Sequence, residues 1–388
     1  MEFPIYFNSI ITLDSAEAGK KILLTQDDYI NNLSRYDLSS KAKRKKPVSK
    51  NALMAYQSKQ VMSWSGQEKL VLRKAIQKLK PRLENYELFF PEVIYLVKTT
   101  GEEEGGASYC RGSNGIFLAS SMVRTASTKK KKSEVKPVNE LAELICNELW
   151  HISSRNAPKE TIDKVYSVIG FQRLPKPFQL PEAINKIKIS NPDAIFVEHY
   201  ISVEVDSITN IQNEQEIVEV KEEEEEKNTY VLDMIPILYS SIPLFTGKKD
   251  DSCYNYLQLS FLVIEKTKDA EWKPVIMNKE LLFVGIGDLP SSFWEQVGRN
   301  TDYIFHPDEI IADNFTHIIF RKKRQSKIKS PELLDGLQEV LSKKENEKEN
   351  EKENEKGNEK ENENKKENEE EKENEKETEK ENNKEEEK

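Results

Sequence analysis

From Lys343 to Lys388 the chain contains no apolar residue, which confines any hydrophobic core to the residues before it. Those last 46 residues comprise 21 Glu, 13 Lys, 10 Asn, one Gly and one Thr, and they carry −8 of the chain's formal −10. The acidic balance therefore belongs to an appendage, while residues 1–342 are nearly neutral, with apolar usage typical of a globular domain. Glu and Lys three residues apart favour a helix slightly in the tail. Like charges four apart and frequent Asn oppose it. Its composition suggests a coiled coil, yet with no apolar a or d positions there is nothing to bury. Residues 343–388 read as a disordered or transiently helical low-complexity segment.

The body is long enough for one large domain or two ordinary ones. Met1 to Leu13 lacks the basic start and apolar run of a signal peptide. No window approaches the roughly 18 uninterrupted apolar residues of a membrane span. Cys110, Cys146 and Cys253 are too few and too scattered for a disulfide framework or a Cys-rich zinc site. A cytoplasmic protein is expected. The basic run Lys41 to Lys46 reads as a solvated loop, with nuclear import as its alternative reading.

Periodicity places the elements. Ser65 and Glu68 make a capping box before a helix over 66–80, with Leu72, Ala75, Ile76 and Leu79 on one face. Residues 93–97 and 107–119 read as strands on either side of a Gly-rich turn, and a polar linker holds Lys129 to Lys132. Helices are expected over 138–155 and 158–169, the second stopped by Gly170. Strands follow at 200–205, 229–239, 254–265 and 281–284, interrupted by an acidic loop insertion near 206–228. Helices return at 289–297 and 307–320, the latter with Pro307 in its first turn, and a short amphipathic helix occupies 331–342. Because strands and helices are segregated, the class is α+β.

One stretch carries chemistry. Asn147-Glu148-Leu149-Trp150-His151 is one substitution from the zinc-peptidase pattern H-E-x-x-H, whose two histidines share a helix face and whose Glu serves as general base. Downstream, Glu309 and Asp313 lie one turn apart, the spacing of a carboxylate ligand and a carboxylate that orients a ligating His.

The segments Lys98–Tyr109, Asn147–Arg155, Tyr166–Phe171 and Gly298–Phe315 together resemble a little-characterised family of zincin-type, gluzincin-like metallopeptidases. The resemblance covers about residues 1–320 and implies a zincin-like α+β domain, with an active-site helix beside a mixed or antiparallel sheet. The expected boundaries are 1–325 for that domain, 326–342 for the short helix and 343–388 for the tail. Carried over residue by residue, Glu148 is the general base, His151 and Glu309 are zinc ligands, and Asp313 is the orienting carboxylate. Asn147 stands where the first histidine ligand belongs, and its amide oxygen is a poorer zinc donor than imidazole nitrogen. The gap of 158 residues from His151 to Glu309 is also long for a gluzincin, so Glu160 or Asp163 on the following helix is the fallback carboxylate. The resemblance therefore implies a zinc-metallopeptidase-like protein with a damaged site, in which zinc is weakly bound or absent. An active metallopeptidase and a non-enzymatic interaction protein are the alternatives.

His199 and Tyr303 are candidates for an oxyanion or substrate contact. Cys110 has no evident base, and the Gly101 to Gly106 stretch lacks a P-loop Lys and carries three glutamates, which argues against nucleotide binding. The expected partner is a peptide or protein. Nothing points to nucleic acid or membrane, and the sequence does not set the oligomeric state.

Overall fold

The computed structural model describes residues 1–123, 135–205, 230–248, 251–321, 326 and 328–343. The expected acidic insertion near 206–228, the linker lysines 129–132 and the tail from 344 lie outside the described residues. The chain divides into two compact units, Met1–Glu84 with Leu88–Leu341, and Asn85–Glu87 with Ser342–Lys388. In the second, Tyr86 and Ser342 form an antiparallel bridge.

The first unit opens with a hairpin, β1 (Glu2–Tyr6) and β2 (Ser9–Thr12). Short helices follow: α1 (Ala16–Leu23), α2 (Asp28–Asn32), α3 (Arg35–Lys41) and α4 (Lys50–Ser58). Next come β3 (Val61–Met62) and α5 (Gly66–Leu83), whose expected Ser65–Glu68 capping box is formed. The first sheet is completed by β4 (Val93–Thr99), β5 (Tyr109–Arg111) and β6 (Gly115–Ala119). Its order is β1-β2-β4-β6-β5, with β3 also pairing β4. It is mixed: β2, β4 and β6 run parallel, and the short edge strand β5 is antiparallel to β6.

Two sequence expectations need correction here. The strand expected over 107–119 is a hairpin, because Gly112 takes φ +63° and turns the chain between β5 and β6. The basic run 41–46 is not wholly a solvated loop. Lys41 ends α3, is buried, and pairs with the equally buried Glu104, so charge pairing holds it inside.

The long helix α6 (Val135–Asn156) and α7 (Lys159–Ser167) lead to the second sheet, with Gly170 at φ +80° turning the chain. That sheet contains β7 (Phe171–Arg173), then, past α8 (Glu182–Ile187), β8 (His199–Val205), β9 (Tyr230–Ser240), β10 (Leu257–Lys266) and β11 (Trp272–Pro274). The small pair β12 (Ile276–Met277) and β13 (Glu280–Leu281) precedes β14 (Phe283–Gly285), which returns to β10. The order is β11-β10-β9-β8-β7, antiparallel throughout. Pro236, without an N–H, is accommodated in β9 because pairing with β8 ends at Met234. Ile235, Ile237, Leu262 and Ile264 bury one face against Leu174, Phe178 and Ile184. Among the described residues the unit finishes with α9 (Ser291–Val297), α10 (Pro307–Ile319) and α11 (Pro331–Leu341).

The fold is thus α+β with both a mixed and an antiparallel sheet. What matters for chemistry is α6. It packs against α5 and α10 and touches β5 and β6. Leu141, Ala142, Ile145, Cys146, Leu149, Trp150 and Ile152 are buried, which fixes its rotation and leaves Asn147, Glu148 and His151 on the wall of a cleft. Among the described residues no helix is long and apolar enough to cross a membrane.

Candidate metal centre

The cleft holds about 760 Å³ and is lined by parts of α6, α10, the loop around Asn191 and the Gly105–Ser108 turn. His151 is buried in its wall, 2% exposed. Its Nδ1 lies 2.6 Å from Asp308 Oδ2, and its Nε2 lies 3.7 Å from Glu309 Oε2. The separation of 158 residues is therefore bridged in space, and the fallback Glu160 and Asp163 are not needed: Glu160 is exposed, and Asp163 is held by Arg173 and His199.

Local sequence explains how α10 delivers these groups. His306 is the N-cap, its Nδ1 accepting from Asp308 N–H at 3.1 Å, and Pro307 occupies the first turn. Asp308 and Glu309 then sit in that first turn, where the helix dipole favours carboxylates. Asp308 is fully committed: Oδ1 accepts from Trp150 Nε1 at 2.9 Å and from Tyr166 O–H at 2.6 Å. Burial alone would raise its pKa, but His151 and the Tyr166 hydroxyl outweigh burial and hold it well below the usual carboxylate range. Asn191 Nδ2 donates to Glu309 Oε1 and so orients that carboxylate.

The expected orienting residue, Asp313, has a different client. It accepts from Asn147 Nδ2 at 3.1 Å and from Thr301 Oγ1, while the carboxylate on His151 is Asp308. Asn147 lines the cleft and is half-buried, so position 147 keeps its supporting carboxylate although it carries an amide.

A third acidic group was not expected. Asp193, from the loop between α8 and β8, comes close enough that one ligand atom each from His151, Asp193 and Glu309 lie within 4.8 Å of one another. Asp193 Oδ1 is fixed by Cys110 N–H at 2.8 Å and Arg155 Nη2 at 3.1 Å, and Asn191 Oδ1 accepts from Asp193 N–H at 3.0 Å. The only sequence signal was the Asn191-Pro192-Asp193 turn, which marks a loop but not a ligand. Asp308 takes the orienting role that the sequence pattern assigns to Asp313, one turn beyond Glu309.

Charge is concentrated here. Burial and the neighbouring Asp193 push the Glu148 carboxyl up to about 8, against the opposing pull of His151. Burial raises Glu309 to about 7, again with His151 opposing and Asp193 adding. For His151 burial favours the neutral ring, but Asp193, Glu309 and Asp308 outweigh it and raise its basicity well above the ordinary value. A cation placed among these crowded acids would offset their mutual repulsion.

The donor set fits a divalent metal. One imidazole nitrogen and two carboxylates could hold a divalent ion, and three is the number of protein ligands at catalytic zinc sites, although those are richer in histidine. Ligands about 2.0–2.1 Å from a tetrahedral ion stand about 3.4 Å apart, close to the 3.7 Å between His151 and Glu309. The Asp308 contact on Nδ1 leaves Nε2 facing Glu309, and a carboxylate on the far nitrogen is one of the partners that metal-ligating histidines commonly have. Of the remaining candidates, Tyr303 lines the cleft and is 57% exposed, whereas His199 does not line it. His199 Nε2 instead contacts Asp163 at 3.0 Å, and its ring meets Tyr166 edge-on, which makes it a support behind the site.

No family model, curated protein or solved structure matches the chain, so the reading of the site rests on its residues.

Proposed function

We propose that this protein is a zinc-metallopeptidase-like hydrolase with an altered metal site, in which His151, Glu309 and Asp193 hold a divalent cation and Glu148 is the general base. The observation that carries the reading is the convergence of those three ligand atoms within 4.8 Å, one helical turn from Glu148. Asn147 offers only an amide at the position of the first histidine in the resembled pattern, and a second carboxylate ligand takes up the deficit. A carboxylate in place of imidazole changes both the charge and the softness of the site, so zinc binding is weaker than in a site with two histidines.

When bound, the ion supplies Lewis-acid polarisation of a peptide carbonyl. The chain's own residues do the rest. Glu148, buried and held near neutrality in its acidity, takes a proton from an attacking water and can return it to the leaving amine. Tyr303 stands in the cleft wall where its hydroxyl can donate to a developing oxyanion. The Gly105–Ser108 turn lines the cleft together with α6, and a peptide substrate would lie there.

The test has two steps. Elemental analysis of the purified full chain should find up to one zinc per chain that dialysis against chelator removes, and His151→Ala or Asp193→Ala should lose it. Hydrolysis of an unstructured protein should be slow, chelator-sensitive and absent in Glu148→Gln. A chain that takes up no divalent metal at any concentration overturns the proposal.

A further inference from the structure

Asp193 belongs to two donor groups at once. Besides the set with His151 and Glu309, one ligand atom each from Cys110, Glu148 and Asp193 also lie within 4.8 Å of one another. The three come from separate parts of the fold: the edge strand β5, the middle of α6 and the loop between α8 and β8. Cys110 is wholly buried and Glu148 is 4% exposed, so neither is a surface acid that happens to have a neighbour. The Cys110 thiol is aimed at Glu148, with Sγ 3.3 Å from Oε2. An ion bound about 2.3 Å from sulfur and about 2.1 Å from oxygen in tetrahedral geometry separates those atoms by about 3.6 Å. The two side chains therefore stand nearly at ligand spacing already. Cys110 N–H and Arg155 both donate to Asp193 Oδ1, which fixes the third donor in place.

We propose that Cys110, Glu148 and Asp193 form a second divalent-cation site, softer than the first because it contains a thiolate, with Asp193 bridging the two ions. Loading it displaces the thiol proton, which leaves to solvent, and the sulfur binds the cation in its place. It also occupies the carboxylate that the preceding proposal assigns as general base. On that reading the second ion switches hydrolysis off, and the site is an inhibitory one that fills at higher metal concentration.

Cobalt(II) distinguishes the possibilities, because a thiolate ligand gives it an intense near-ultraviolet charge-transfer absorption that nitrogen and oxygen ligands do not. The full chain is dialysed against increasing Co²⁺, and bound metal and absorption are followed together. The expected result is two cobalt ions per chain, with the thiolate band growing as the second binds. Cys110→Ser and Cys110→Ala should each lose the band and retain one ion. Cys146→Ser, which alters a buried cysteine outside the cluster, should keep both, and thermal melts verify that each variant is folded. Activity should fall as the second equivalent binds in the parent chain and stay level in Cys110→Ser, and parent activity that holds level through the second equivalent overturns the inhibitory role. Saturation at one ion that His151→Ala abolishes, with no thiolate band, overturns the second site and leaves the first standing. Two ions without the band, or a band that survives both Cys110 substitutions, also overturn it. Binding of no cobalt overturns both proposals together.

Discussion

His151 Nδ1 lies 2.6 Å from Asp308 Oδ2 while Nε2 of the same ring lies 3.7 Å from Glu309 Oε2, so two consecutive residues of one helix divide the imidazole between them. That division is possible because both carboxylates sit in the first turn of α10, where adjacent side chains diverge by about 100° and can reach different atoms of one partner. The ring is thereby fixed in orientation before any ligand arrives. Asp308 has no second task in the cleft; it is buried against Trp150 and Tyr166 and holds the ring from behind.

Replacing Asp308 by Ala should therefore damage the site and the fold separately. Zinc affinity should fall about 10–100-fold, the usual cost of losing a carboxylate behind a ligating histidine. The Trp150 N–H and the Tyr166 hydroxyl would be left buried without an acceptor, at about 1–3 kcal/mol each. Competition against a chelating dye reads the first effect and urea unfolding the second. Unchanged zinc affinity in Asp308→Ala would show that His151 is not a ligand.

Position 147 invites the opposite experiment. Asp313 already accepts an N–H from the residue there, with Thr301 fixing its other oxygen, so an imidazole at 147 would inherit a ready partner for one ring nitrogen. Asn147→His should tighten zinc binding by at least about tenfold, since imidazole nitrogen is a far better zinc donor than an amide oxygen. The same competition titration measures it. An affinity that does not move would place residue 147 outside the coordination sphere.

The sequence disclosed what depends on local periodicity and little of what depends on distant contact. The helix carrying Glu148 and His151, the capping box at Ser65 and the turn of α10 bearing Glu309 were legible because each is written in a few consecutive residues. The short helices of the first sixty residues were not, because runs of five to nine residues show barely two turns of pattern. Asp193 and Asp308 were invisible as site residues for another reason. Asp193 reaches the site from a loop 42 residues beyond His151, and no spacing rule connects them. Lys41 shows the same limit from the other side: it stands in a basic run that looks solvated, yet its partner Glu104 lies 63 residues away.

That buried pair supplies a third prediction. Lys41 and Glu104 are each almost fully buried, and Glu104 also accepts from Tyr29 O–H at 2.7 Å and Gln57 Nε2 at 3.2 Å. Burial opposes the charged Lys41, but Glu104 and its neighbours more than restore it and raise its basicity well above the ordinary value. Lys41→Met leaves a carboxylate buried without its cation and should cost about 3–5 kcal/mol of stability. Adding Glu104→Gln should recover much of that loss, because the uncompensated charge is then gone. A double variant no more stable than Lys41→Met would show that the pair's value lies in packing instead.

The last prediction concerns acid. Glu68 closes the capping box of α5 by accepting from Ser65 N–H at 2.8 Å, and Lys98 Nζ meets its two oxygens at 2.8 and 2.9 Å. Burial works against the ionised form, yet the hydrogen bonds from Lys98 and Ser65 win and hold the carboxyl below its ordinary value. A carboxylate lowered on folding binds its proton more readily in the unfolded chain, so its contribution is complete above the unfolded value of about 4.3 and is lost as pH falls through the folded one. Glu68→Gln should therefore be less stable than the parent by about 1–3 kcal/mol at neutral pH. The two chains should converge in urea midpoint as the buffer is taken from pH 6 toward pH 3, conditions set by that same window of about 4. Parallel midpoints across the whole range would mean that the lost interaction is not the charge of Glu68 but the shape of its side chain.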